Sequence, residues 1–105
     1  FIAKAVEIKA KNVDAIMVTS TNDVFVMDAW AKATGGAGLI EFLSDGNADF
    51  AKAIGLSLDG SGFGLGTRSQ RYSMLVKDGV VDKLNVEEGP GKADISGAEA
   101  LLGQL

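Results

Sequence analysis

Two short, unbroken apolar runs separated by a helical pattern limit this chain more than anything else in it. VDAIMVTS (residues 13–20) and LIEFLSD (39–45) are too short for core helices and read as strands covered on both faces. Between them DVFVMDAWAKATGG (23–36) reads as a helix. Thr21 or Asn22 caps its start, Val26, Ala29, Trp30 and Ala33 form its inward stripe, and Gly35 and Gly36 end it. Strands joined through a helix run parallel, because only a tight turn reverses the chain beside itself. The pattern continues with Asn47 capping ADFAKAIG (48–55), where Phe50, Ala53 and Ile54 face inward and Gly55 is the stop.

A glycine-rich loop, SLDGSGFGLGT (57–67), leads into a strand at RYSMLVK (71–77). Asp78-Gly79 is a hairpin signal, and VVDKLNVEE (80–88) is the antiparallel return. Ser96 and Glu99 form a capping box for a last helix, GAEALLGQL (97–105). At the front, FIAKAVEIKAKN reads as the back half of an amphipathic helix. Phe1, Ala5 and Ile8 make its stripe, Ile2 and Val6 lie beside it, and Lys4, Lys9 and Lys11 face away. The order predicts a single α/β domain over residues 1–105, with parallel strands, a closing antiparallel hairpin in one mixed sheet, and helices on both faces. No initiator Met and no capping residue precede Phe1, so the domain is expected to lack its amino-terminal part.

Composition excludes several function classes. At 105 residues, 47% hydrophobic and 23% charged, the chain can bury one core and is not disordered. No apolar run nears the ~18 residues of a membrane span. A net charge of −4 with ten scattered Lys and Arg argues against nucleic acid. With no Cys and no His, Cys–His pairs, Ser–His–Asp triads and Cys/His zinc sites cannot form within these residues. No sequon or basic-then-apolar leader occurs, so a cytoplasmic location is expected.

Most candidate motifs fail on spacing. In Gly60-Ser-Gly-Phe-Gly-Leu-Gly66 a dinucleotide fingerprint would need glycine at Leu65, and the loop enters a strand instead of opening a helix. GPGK (89–92) is followed by Ala93 where a phosphate loop has Ser or Thr, so no nucleotide cofactor is expected. Asp45-Gly-Asn47-Ala-Asp49 starts like a calcium loop, but Phe50 and Leu56 occupy its obligatory sixth and twelfth positions, so no metal is expected. Glu87 and Glu88, before a Pro-Gly turn, read as a solvated rim, and Met27 and Trp30 as core.

GTRSQRY (66–72) leaves two readings open. Arg68 and Arg71 are an exposed pair salt-bridged to nearby acids, or Arg71 has its stem covered and its head in a cleft. In the second reading Tyr72, Met74 and Val76 form one apolar strand face, with Arg71 on the other alongside Ser73 and Leu75. A fixed guanidinium there stabilises a thiolate or orients an oxygen-rich substrate.

The stretches VTSTNDVFVMDAW, FLSDGNADFAKAIGLSLD and GLGTRSQRYSMLVKDGVVDKLNVEE resemble the carboxyl-terminal two-thirds of a type II peroxiredoxin, over essentially the whole chain. The resemblance implies a thioredoxin-like fold and a thiol peroxidase acting on hydrogen peroxide and alkyl hydroperoxides. It implies that the cysteine motif Pro-x-x-x-Thr-x-x-Cys lies upstream of Phe1. It assigns Arg71 as the catalytic residue that bonds the peroxide and holds the cysteine as thiolate, with Arg68 and Ser69 as supporting neighbours. It implies a thiol reductant (glutathione, glutaredoxin or thioredoxin) and a homodimer contacted through Asn22, Asp23 and Phe25. The alternative is a non-catalytic thioredoxin-like binding domain, favoured by the absence of Cys. A flavodoxin-like ligand binder is disfavoured by the terminal hairpin and the missing phosphate loop. By itself the segment is expected to be poorly stable, with a bare sheet edge.

Overall fold

Ala5 and Ile8 sit three residues apart on helix α1 (Ala5–Lys9) and are almost completely buried. They form a core with Ile16, just before strand β1 (Met17–Ser20), and Ile40, just before β2 (Glu41–Ser44). The computed structural model describes residues 1–88 and 94–105, so the GPGK loop and its Pro-Gly turn lie outside the described residues. The expected stripe holds at Ala5 and Ile8, with Ile2 packed beside it, but Phe1 and Val6 are exposed, because a five-residue helix presents little more than one turn to the core.

β1 and β2 pair in parallel from Met17↔Glu41 to Ser20↔Ser44, as their helical connection requires. They are not covered on both faces. Val18 and Phe42 turn to the core, while Met17 is 60% exposed and Leu43 is exposed opposite Thr19. The unbroken apolar runs therefore overstated burial.

Helix α2 (Val24–Thr34) is capped by Asp23, whose carboxylate accepts the Val26 N–H at 2.8 Å, and not by Thr21 or Asn22. Its buried side chains are Met27 and Ala31, one residue out of phase with the expected stripe at Val26, Ala29, Trp30 and Ala33. Trp30 stays partly exposed and meets Phe42 edge-on, with ring centroids 5.3 Å apart. The two closing glycines serve different needs. Gly35 takes the left-handed cap at φ 73°, whereas a Cβ at Gly36 would come within 2.8 Å of Phe42 Cζ.

In α3 (Asp49–Ala53) the capping group is again not the expected one. The Asp45 carboxylate accepts from the N–H groups of Phe50 and Ala51, at 3.0 and 2.9 Å, while Asn47 makes no cap. Ala51 is the buried side chain, and Phe50, Ala53 and Ile54 are exposed.

The loop expected at 57–67 contains structure of its own. β3 (Ser57–Asp59) and β4 (Thr67–Ser69) pair antiparallel around one 3-10 turn at Ser61–Phe63. The hairpin of β5 (Tyr72–Lys77) and β6 (Val80–Val86) turns through Asp78 at φ 51° and Gly79 at φ 79°, the backbone an Asp-Gly turn supplies. Its covered face carries Ser73 and Leu75, not Tyr72, Met74 and Val76. Among the described residues the strands form three separate two-stranded pairs, not one continuous sheet. Helix α4 (Ala98–Leu102) closes the chain, and its Ala98 and Leu102, with Leu105, pack on the core that α1 began.

Candidate functional site

Arg71 occupies the short break between β4 and β5, and both sides of that break are anchored. The Gln70 N–H donates to the Leu56 carbonyl at 2.7 Å, and the Arg71 carbonyl accepts the Glu87 N–H at 2.9 Å. The backbone at 71 thus extends the β5–β6 ladder by one pair beyond Tyr72↔Val86. The side chain is exposed as a whole, yet its Nε donates to the Ser96 hydroxyl at 3.2 Å.

Behind the arginine lies a polar cluster that the sequence reading missed. The Ser96 N–H donates to Glu87 Oε1 at 2.7 Å, with Ser96 2% and Glu87 7% exposed. Glu87 is therefore no solvated rim. Nor does Ser96 cap α4, whose cap position is Gly97 and has no side-chain bond. The Ser96 amide holds the Glu87 carboxyl below its ordinary value, helped by the Ser96 hydroxyl, the Ile95 amide and the Arg71 charge, while burial pulls the other way. Alternation along VVDKLNVEE placed Glu87 at a strand end, and nothing local pointed from it to Ser96, nine residues on.

The other named residues lie elsewhere. Arg68 Nε donates to the Leu65 carbonyl at 2.8 Å and closes its own loop, and the Ser69 hydroxyl donates to the Gln70 carbonyl at 2.8 Å. Neither arginine enters an ion pair among the described residues, so the expectation of an arginine pair salt-bridged to acids does not hold. Asn22 Nδ2 donates to the Ser20 hydroxyl at 2.9 Å, the Asn22 carbonyl accepts from the Ser44 hydroxyl at 2.7 Å, and Asp23 caps α2. These two build the turn at the carboxyl ends of β1 and β2, and Phe25 beyond them is 82% exposed. A shallow hollow at the same end is lined by Thr19, Ser20, Asp45, Phe50, Ala51, Ser69 and Tyr72, so it abuts the Arg71 break without including Arg71. Burial, and after it the Asp45 charge, pushes the Tyr72 hydroxyl up from its ordinary value. Among the described residues no group of acidic side chains could hold a metal ion.

Comparison with known proteins bears on this geometry. A family model described as Redoxin matches residues 1–102. The chain is 48% identical to the Peroxiredoxin-2C of rice, covering 100% of this chain and 64% of that protein. It is 49% identical to the chloroplastic Peroxiredoxin-2E-2 of rice, covering 100% of this chain and 48% of that protein. It thus spans about half to two thirds of the length of these relatives. The crystal structure of reduced Prx3 from Vibrio vulnificus in complex with hydrogen peroxide superposes with a TM-score of 0.90 at 50% identity, covering 99% of this chain and 66% of that one.

Proposed function

The chain belongs to the Redoxin family and shares the thioredoxin-like fold of its peroxiredoxins, and from that premise we propose that it is part of a thiol-dependent peroxidase. Its substrates are hydrogen peroxide and alkyl hydroperoxides, its peroxidatic cysteine lies outside residues 1–105, and Arg71 is its cationic catalytic residue. The single observation that carries this reading is the fixed guanidinium of Arg71 at the head of β5, bonded through Nε to a buried hydroxyl, in a chain half identical to a peroxide-bound Prx3.

The chemistry asks for such a group. A thiolate sulfur attacks one peroxide oxygen, the O–O bond breaks, and the other oxygen leaves as hydroxide or alkoxide and takes up a proton. A free thiol has a pKa of ~8.5, and lowering it by two units needs about 2.7 kcal/mol of preference for the anion. A helix amino terminus together with a cation supplies energy of that order. Arginine remains charged throughout the physiological range, and the departing oxyanion is stabilised by the same charge. A thiol (glutathione, glutaredoxin or thioredoxin) then reduces the oxidised sulfur.

In the full-length protein, Arg71→Ala and Arg71→Lys should each lower peroxidase kcat/KM by at least roughly tenfold and raise the cysteine pKa. Unchanged values of both would remove Arg71 from the mechanism. The homodimer belongs to the same proposal. Its support is the exposed apolar start of α2, where Val24, Phe25 and Val26 all face outward. A cytoplasmic home completes it, to be tested by imaging the tagged full-length protein against a chloroplast marker.

A further inference from the structure

Arg71, Glu87 and Ser96 come from three places in the chain: the head of β5, the residue after β6, and the approach to α4. Glu87 holds both of the others. Its N–H donates to the Arg71 carbonyl at 2.9 Å, and its carboxylate accepts the Ser96 N–H at 2.7 Å. Among the described residues this buried carboxylate forms no ion pair, and its shortest bond is the one from the Ser96 amide. Ser96, equally buried, has no capping duty, and its hydroxyl faces Arg71 Nε.

We propose that Glu87 and Ser96 are positioning residues for Arg71: Glu87 fixes Ser96 by its backbone amide, and the Ser96 hydroxyl fixes the guanidinium by its inner nitrogen. This rests on the peroxidase reading for its purpose, and on geometry alone for its existence. The three nitrogens of a guanidinium share one plane, so a bond at Nε orients the whole group without spending the terminal nitrogens. An exposed arginine samples many rotamers, and selecting one beforehand removes that cost from the reacting complex. The carboxylate bonds the serine and forms no ion pair with the guanidinium, so the positive charge is aimed and only partly offset by the carboxylate.

The test uses the full-length protein with Ser96→Ala, Ser96→Thr and Glu87→Gln, alone and combined with Arg71→Ala. Nitrogen-15 spectra read the clamp directly. The Arg71 Nε–H signal should be resolved and slow to exchange in the parent, lost into the exposed-arginine region in Ser96→Ala, and recovered in Ser96→Thr. Peroxide kinetics read its use. Ser96→Ala should lower kcat/KM roughly tenfold, Ser96→Thr should restore most of it, and Ser96→Ala should cost nothing further when Arg71 is already Ala. Glu87→Gln should fall between the parent and Ser96→Ala.

An Nε–H signal indifferent to Ser96→Ala overturns the proposal. So does a Ser96→Ala loss that is equally large without Arg71, since that loss would be structural. If the signal behaves as expected and Arg71→Ala keeps full activity, the clamp stands and the peroxidase assignment of Arg71 falls.

Discussion

Glu87 ties the candidate site to pH. Its carboxyl titrates below the ordinary 4.5 because the Ser96 amide, first among several groups, binds the charged form. A depressed folded pKa means that the stabilisation is complete above the ordinary value and is lost as pH falls through the folded one. Glu87→Gln should therefore flatten the acid limb of a Tm-against-pH curve measured between roughly pH 3 and 6, and leave the neutral limb's slope unchanged. Parallel limbs in the two proteins would show that the carboxylate has no special partner. At this scale the sequence was partly legible. An arginine ahead of a buried strand is conspicuous because arginine rarely enters a core unpaired. The caps were harder to read, since Thr21, Asn22, Asp23 and also Asp45, Asn47 are all competent cap residues. Which of them serves depends on where the backbone enters the helix, and in each case the carboxylate won.

Element by element, the decisive feature is a β-bulge. Near the turn the β5–β6 register runs Lys77↔Val80 and Val76↔Val81, but from Leu75↔Lys83 onward it has slipped by one, leaving Asp82 as the extra residue. Carried from the turn without that slip, the ladder would set Val86 opposite Arg71. With it, Glu87 takes that place, and because cross-strand partners share a face, the neighbour of the arginine changes from apolar to acidic. Deleting Asp82 should remove the bulge yet keep Arg71 opposite Glu87 and keep the protected Nε–H signal, because it takes out the one residue by which the register slips. Cross-strand backbone contacts by NMR would show which pairing forms, and an Arg71–Val86 pair in the deletion variant would refute Asp82 as the extra residue. The Asp-Gly turn was readable because its left-handed backbone demands those residues. The bulge was not, because strand alternation in VVDKLNV is compatible with either register.

For the whole molecule, two consequences follow from how the ends of the chain meet. Helix α4 reaches the core that α1 opens, and that long-range contact brings Ser96 to Arg71. At the start of α2, Val24, Phe25 and Val26 are apolar side chains left 61%, 82% and 47% exposed. Phe25→Asp should shift the sedimentation of the full-length protein from dimer to monomer without lowering its Tm, since a side chain 82% exposed contributes little to the fold of one subunit. An unaltered sedimentation coefficient would move the dimer contact elsewhere.

From residue order alone came most element types, though not the strands within 57–67, together with the parallel pairing of β1 and β2, the Asp-Gly hairpin and the glycine stops. Each depends on interactions within a few residues, which local chemistry dictates. Which face of each element was covered, where the register slipped and what stood behind Arg71 were settled only by packing. Those outcomes depend on contacts between different elements, such as Arg71 with Ser96, 25 residues on. Local periodicity carries no information about such partners, because what selects them is the shared burial of α1, the strands and α4 around one core.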